Sequence, residues 1–199
     1  MAGEKLATRK GNVVLLKDLI SQSIDKTLEI MKEKNPDLPD MQKVAAQVGV
    51  GSVIFDDLYS NRIKDVDFNW EEALNFDGET GPYVQYTHAR ACSVISRSDG
   101  ESTEGFDASL LSTREEAALI HTIQNFPARV LAAMAENEPS IIARHLVDVC
   151  QSFNKFYHLH SILSGSADIR KARLALVKAS RITMRNALEL IGLKTPERI

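Results

Sequence analysis

Apolar residues recur at steps of three and four over most of this chain, and that period predicts helices from one end to the other. Leu16, Leu19, Ile20, Ile24, Leu28 and Met31 mark one face of a first helix that stops before Asn35-Pro36. Val44, Val48, Ile54 and Leu58 mark a second, between Met41 and Tyr59, with Gly49 and Gly51 inside it. A helical glycine costs about 1 kcal/mol relative to alanine, so close approach of a neighbour, rather than a kink, is the preferred reason for the pair. Between Arg62 and Trp70 the residues Ile63, Val66 and Phe68 alternate with charges and predict a short extended segment. Trp70, the only tryptophan, is expected to anchor the following junction in the core.

Gly78, Gly81 and Pro82 punctuate the next stretch, and Thr80 is the expected cap of a helix from Tyr83 to Arg97. Tyr83, Tyr86, Arg90 and Arg97 fall within one stripe of that helix, because residues three and four apart are neighbours. Two phenols and two guanidiniums in a row suit stacking against unpaired bases. Asp99, Gly100, Glu101, Glu104 and Gly105 then read as an acidic, flexible connector. Ser112 or Thr113 can cap a helix to about Gln124, and Asn125-Phe126-Pro127 starts another through Met134.

Pro139 opens a long helix to about Leu163 with the seam Ile142, Leu146, Val149, Phe153 and Phe156. Tyr157 lies on its flank, where it either packs or presents its ring edge to a ligand. In the last helix, from Asp168 to Ile191, the residues Arg170, Lys171, Arg173, Lys178, Arg181 and Arg185 meet no acidic residue until Glu189. Ala172, Ala175, Leu176, Ala179, Thr183 and Ala187 lie opposite, so the expected arrangement is basic outside and small inside. The stripe is either a solvated face or a phosphate contact. Gly192 ends the helix.

Composition narrows the class. With 199 residues, 44% hydrophobic and 26% charged, the chain can bury a core, and general disorder is excluded. Cys92 and Cys150 have no paired spacing and read as reduced thiols. No apolar run approaches the roughly 20 residues of a membrane span, and no signal-like segment opens the chain, so a cytoplasmic protein without membrane contact is expected. The net charge of −3 hides an asymmetry. Residues 108–199 carry twelve basic and eight acidic residues, a net of +4, which leaves −7 for residues 1–107. His158 and His160 would point roughly 200° apart on a helix, and His88, His121 and His145 show no ligand spacing, so no metal site is expected. Lys5, Arg9 and Lys10 crowd before Gly11 as a basic loop able to meet phosphates, or as a solvated tail.

Four stretches together carry a resemblance. The order Asp77-Gly78-Glu79-Thr80-Gly81-Pro82-Tyr83-Val84-Gln85-Tyr86-Thr87-His88-Ala89-Arg90 is similar to the entry helix of the anticodon-binding domain of arginyl-tRNA synthetases. Lys5-Leu6-Ala7-Thr8-Arg9 followed by Lys10-Gly11-Asn12 resembles a degenerate form of the signature loop with which class I synthetases hold the ATP triphosphate. Thr8 stands where that loop has its second lysine, and Lys10 is a displaced substitute. Phe156-Tyr157-His158 with His160 and Ile162, and the stretch from Arg173 to Arg198, resemble the C-terminal part of the same family.

The resemblance implies an all-α helical bundle of the DALR type, preceded by a remnant of the catalytic domain. Residues 1–16 would be that remnant, 17–75 a helical connector and 76–199 the anticodon-binding bundle. The implied function is gripping the anticodon stem and loop of arginine tRNA, within a ligase that activates arginine with ATP and magnesium. No nucleotide-binding sheet or His-Ile-Gly-His signature occurs, so the chain is expected to be an inactive part without a cofactor of its own. Lys5, Thr8, Arg9 and Lys10 are the implied ATP-loop residues. Tyr83, Tyr86, Tyr157 and Ile199 are the tRNA contacts the resemblance implies, Arg90, Arg173, Arg181 and Arg185 of the two arginine-bearing stripes are the expected basic contacts beside them, and DNA is not an expected partner. Ile199 replaces the family's common methionine, and Asn186 stands where glycine is common. The alternative from a different class is a helical scaffold that meets an acidic protein and binds RNA only nonspecifically.

Overall fold

The computed structural model describes residues 15–65 and 68–199, and these contain helices and turns but no strand. The helices are α1 (Leu16–Lys34), α2 (Met41–Tyr59), α3 (Trp70–Ala73), α4 (Gly81–Ser96), α5 (Arg114–Gln124), α6 (Phe126–Glu136), α7 (Ser140–Leu159) and α8 (Ala167–Leu190). The ends follow the local chemistry of the chain. The Thr80 hydroxyl accepts from the Tyr83 N–H at 3.2 Å, and Pro82 sits in the first turn of α4 where its missing N–H is not needed. Thr113 and Glu116 form a reciprocal capping box at the start of α5. Gly192, at φ +80°, closes α8, with its N–H bonded to the Glu189 carbonyl and the Leu193 N–H to the Leu188 carbonyl.

Helices α4, α5, α7 and α8, with one face of α2, enclose the main core of Phe55, Val84, Leu119, Leu146, Phe153, Phe156, Met184 and Leu188. A smaller core of Met31, Leu38, Val44, Ala45 and Val48 joins α1 to α2, with Phe76 and Ile199 at its edge. The glycine pair works by proximity, as expected. A Cβ on Gly49 would stand 2.9 Å from the Ile24 Cα, and one on Gly51 would stand 2.7 Å from the Gln85 carboxamide oxygen. Helix α2 stays continuous through both.

Several expectations change. The buried line of α1 is Ser23, Thr27 and Met31, while Leu16 is 64% exposed. Close packing against a glycine favours small side chains, and the Ser23 hydroxyl approaches the Gly49 carbonyl at 2.8 Å. The segment before Trp70 turns rather than extends at residues 62–64, where the Lys64 N–H bonds to the Asn61 carbonyl at 2.8 Å, and Ile63 is 85% exposed. Trp70 is half-buried against the edge of Phe68, with the Lys26 ammonium 5.8 Å from its ring centre, and belongs to neither core. Helix α7 stops at Leu159, because His160 turns away to reach Glu115 at 3.2 Å and Thr113 at 3.3 Å. The two histidines of that stretch therefore do not share a helix. The acidic connector is held at Glu101, which accepts two hydrogen bonds from Arg170 and one, through its carbonyl, from Lys178.

Candidate nucleic-acid interface

Helix α4 presents Tyr86, Ala89, Arg90, Ser93, Ser96 and Arg97 as the floor of an open groove of about 550 Å³. Tyr157 of α7 forms one wall. The turn between α1 and α2 (Asn35, Asp37, Leu38, Pro39) and the segment Glu197–Ile199 complete the rim. Four of the expected tRNA contacts, Tyr86, Arg90, Tyr157 and Ile199, thus meet at one place, and Arg97 of the same sequence-derived stripe joins them.

Their geometry is specific. The Arg90 guanidinium carbon lies 5.0 Å from the Tyr86 ring centre and 5.2 Å from the Tyr157 ring centre. Cation–π attraction of this kind contributes about 0.5–2 kcal/mol, more when water is excluded. Phe153 stacks behind Tyr157 at 6.2 Å and Phe76 meets Tyr86 edge-on at 6.2 Å, so each ring is backed by a second. Tyr86 remains 37% exposed. Tyr83, by contrast, is half-buried one turn below and does not line the groove. Burial pushes its phenol up, and its hydroxyl accepts a hydrogen bond from Asn154 at 3.0 Å.

The rim is fastened from inside. Gln85, fully buried, donates to the Lys194 carbonyl at 2.8 Å and to the Gln47 carbonyl at 3.3 Å. His88 Nδ1 lies 3.3 Å from the Pro196 carbonyl, and burial lowers its pKa, which keeps the ring neutral at neutral pH. Burial likewise raises the Cys92 thiol, so this residue at the groove's base stays protonated. Asn35 donates to the Ile199 main-chain oxygen at 3.4 Å.

The basic stripe of α8 is not the free outer face expected of it. Arg173, 16% exposed in its side chain, pairs with the fully buried Glu116 at 2.8 Å and donates to the Ser161 carbonyl at 3.0 Å. Burial alone would raise the Glu116 carboxyl, but hydrogen bonds from Thr113 and Arg173 outweigh it and hold the carboxyl below its ordinary value. Arg181 and Arg185 are half-buried, with Nε atoms enclosed and unpartnered, and their charges bear on His88 beneath the 194–196 segment. The inner face of α8 is also broader than the small-residue set, since Leu174, Val177, Met184 and Leu188 enter the core and Ala179 is exposed.

Lys5, Thr8, Arg9 and Lys10 lie outside the described residues. Among the described residues no group of three or more His, Cys, Asp or Glu is placed to hold a metal ion, and no helix is long and apolar enough to cross a membrane. Sequence reasoning missed the 35–39 turn, Asn154 and Gln85. Only the apposition of distant segments reveals the first, and polar residues inside a helical pattern were the signal for the other two.

Comparison with known proteins places the chain in a family. The DALR anticodon binding domain matches residues 84–199, and the catalytic domain of class I tRNA synthetases (R) matches residues 1–70. The arginine–tRNA ligase of Clostridioides difficile (strain 630) is 49% identical over 194 residues, 98% of this chain and 34% of that relative. That of Clostridium botulinum (strain Alaska E43 / Type E3) is 49% identical over 199 residues, 100% of this chain and 35% of the relative. The solved arginyl-tRNA synthetase of Thermus thermophilus superposes with a TM-score of 0.88 at 33% identity, covering 94% of this chain and 32% of that one. The chain therefore spans about a third of the length of the curated relatives it matches.

Proposed function

The chain belongs to the family of the DALR anticodon binding domain, and from that premise we propose that it is the tRNA-gripping part of an arginine–tRNA ligase, holding the anticodon loop of arginine tRNA in the groove over α4. The observation that carries this reading is the Arg90 guanidinium set between Tyr86 and Tyr157 on the groove floor. Unstacked loop bases find aromatic and guanidinium planes there, and base–aromatic stacking contributes about 1–3 kcal/mol per base. Ile199 and Leu38 offer apolar contact at the rim, while Asn35, Ser93, Ser96, Arg97 and Arg198 offer donors to base edges and phosphates.

Tyr83 acts from beneath, as a support of that surface. Arg181 and Arg185 add positive potential behind α4 rather than direct contact, and Arg173 is committed to Glu116. Binding holds the RNA so that its acceptor end reaches the catalytic part of the whole ligase, a cytoplasmic enzyme that uses ATP and magnesium to activate arginine. Lys5, Thr8, Arg9 and Lys10 would serve the ATP loop there. Residues 76–199 act as the RNA-binding unit and 17–75 as its connector. The family match does not favour the helical scaffold that meets a protein and binds RNA only nonspecifically.

The test is binding of an arginine tRNA transcript at two salt concentrations, beside a transcript with its middle anticodon base changed. Weaker binding of the changed transcript supports anticodon recognition. Equal binding of both would reduce the groove to nonspecific phosphate attraction.

A further inference from the structure

We infer that Asn154 is a positioning residue of the groove, which fixes the Arg90 guanidinium between the two tyrosine rings while leaving its charge free for RNA. The inference rests on the proposed function and adds a residue to it. Asn154 lies on α7, one turn before Tyr157, half-buried at the seam where α7 meets α4. Its carboxamide oxygen accepts from Arg90 Nη1. Its nitrogen donates to the Tyr83 hydroxyl at 3.0 Å and to the Thr87 hydroxyl at 3.2 Å. Thr87 in turn donates to the Tyr83 carbonyl at 2.9 Å, so toward Asn154 that hydroxyl can only accept.

This circuit permits a single amide orientation. Rotating the carboxamide by half a turn would set its N–H groups against the Arg90 donors and its oxygen against the Thr87 hydroxyl, whose proton is already given away. Arg90 therefore meets a fixed acceptor at one edge and ring faces on two sides. A free arginine side chain loses about 2 kcal/mol of rotamer entropy when a ligand must order it, and an arginine held in advance loses less. The acceptor is also neutral. A carboxylate at this position would hold Arg90 as firmly but cancel its charge, whereas a carboxamide orders it and leaves the charge to attract phosphates or base acceptors.

The experiment compares the full chain with Asn154→Leu, Arg90→Met and the double variant, using the matched arginine transcript and the one with its middle anticodon base changed. Asn154→Leu is expected to reduce the preference for the matched transcript about tenfold, equivalent to ~1.4 kcal/mol. Its dependence on salt stays that of the wild type, because no charge is lost. In the Arg90→Met background the same substitution is expected to have no further effect on the preference, which a purely structural role would not produce. Tyr83→Phe, which keeps the ring and removes only one of the hydrogen-bond partners of Asn154, should give a smaller loss in the same direction and serves if Asn154→Leu does not fold. An unchanged preference in Asn154→Leu, or equal losses in the presence and absence of Arg90, would overturn the inference while leaving anticodon recognition intact. Equal binding of both transcripts by the wild-type chain would overturn both.

Discussion

Helices α4 and α8 each display arginines at helical spacing, yet the structure uses them in opposite ways. On α4, Arg90 is held by rings and a neutral amide over an open groove. On α8, Arg170 and Arg173 meet the carboxylates of Glu101 and Glu116, and Arg181 and Arg185 are half-buried beside His88. A guanidinium facing a carboxylate has its charge and its donor fork satisfied and contributes to the fold. One facing π-clouds and a carboxamide keeps its charge for a ligand. The longer and more basic stripe thus commits Arg170 and Arg173 to carboxylates, whereas Arg90 keeps its charge toward the groove.

The sharpest way to separate the two is to remove the buried carboxylate. Glu116→Ala leaves Arg173 without its partner and breaks the capping box, at an expected cost of about 3–5 kcal/mol. The melting temperature should fall by roughly 2–4 °C per kcal/mol. At a temperature where the variant is still folded, its preference for the matched transcript should persist. Loss of that preference would dissolve the distinction between the helices.

Tyr157→Ala is the mirror experiment. Binding of the matched transcript should weaken by about 1–3 kcal/mol, the value of one base-stacking partner, with a smaller change in stability. A stability loss without a binding loss would return Tyr157 to simple packing.

Acid titration tests the same contrast without mutation. The Glu116 carboxyl is held below its ordinary value in the folded chain, so its stabilisation is complete above the ordinary carboxylate range. It is lost as pH falls through the lower folded value. Unfolding followed by circular dichroism should show this acid limb in the wild type, and Glu116→Gln should flatten it. Asp56 behaves oppositely, since burial first, then Asp57 and Glu72, raise it to about 6. Its ionisation opposes folding as pH rises through that value.

The smallest effect belongs to the exposed end of the stripe. Arg170 and Glu101 meet at 2.9 Å but are both partly open to water, where such pairs are worth about 0–1 kcal/mol. Glu101→Gln should change the melting temperature little, and a large drop would mean that the 99–105 loop is needed to hold α8.

Much of the helical frame was legible in the periodicity, because a helix buries one face whatever its neighbours are. The caps at Thr80, Thr113 and Gly192 were legible too, being set by local backbone chemistry. The errors cluster where a partner decides. Ser23 and Thr27 line a buried seam because Gly49 comes close, and Trp70 stays at the surface because neither core reaches it. His160 leaves its helix for Glu115, a residue 45 positions earlier.

The groove divides in the same way. The sequence alone determined that Tyr83, Tyr86, Arg90 and Arg97 share one side of α4, since helix geometry requires it. Tertiary structure alone decided that Tyr83 turns under while Tyr86 stays out, that Tyr157 and Ile199 arrive from the far end of the chain, and that Arg170 and Arg173 of α8 are answered by carboxylates. Spacing along a helix specifies which side chains are neighbours on it. What stands across from them depends on contacts between residues distant in the chain, which no local pattern records.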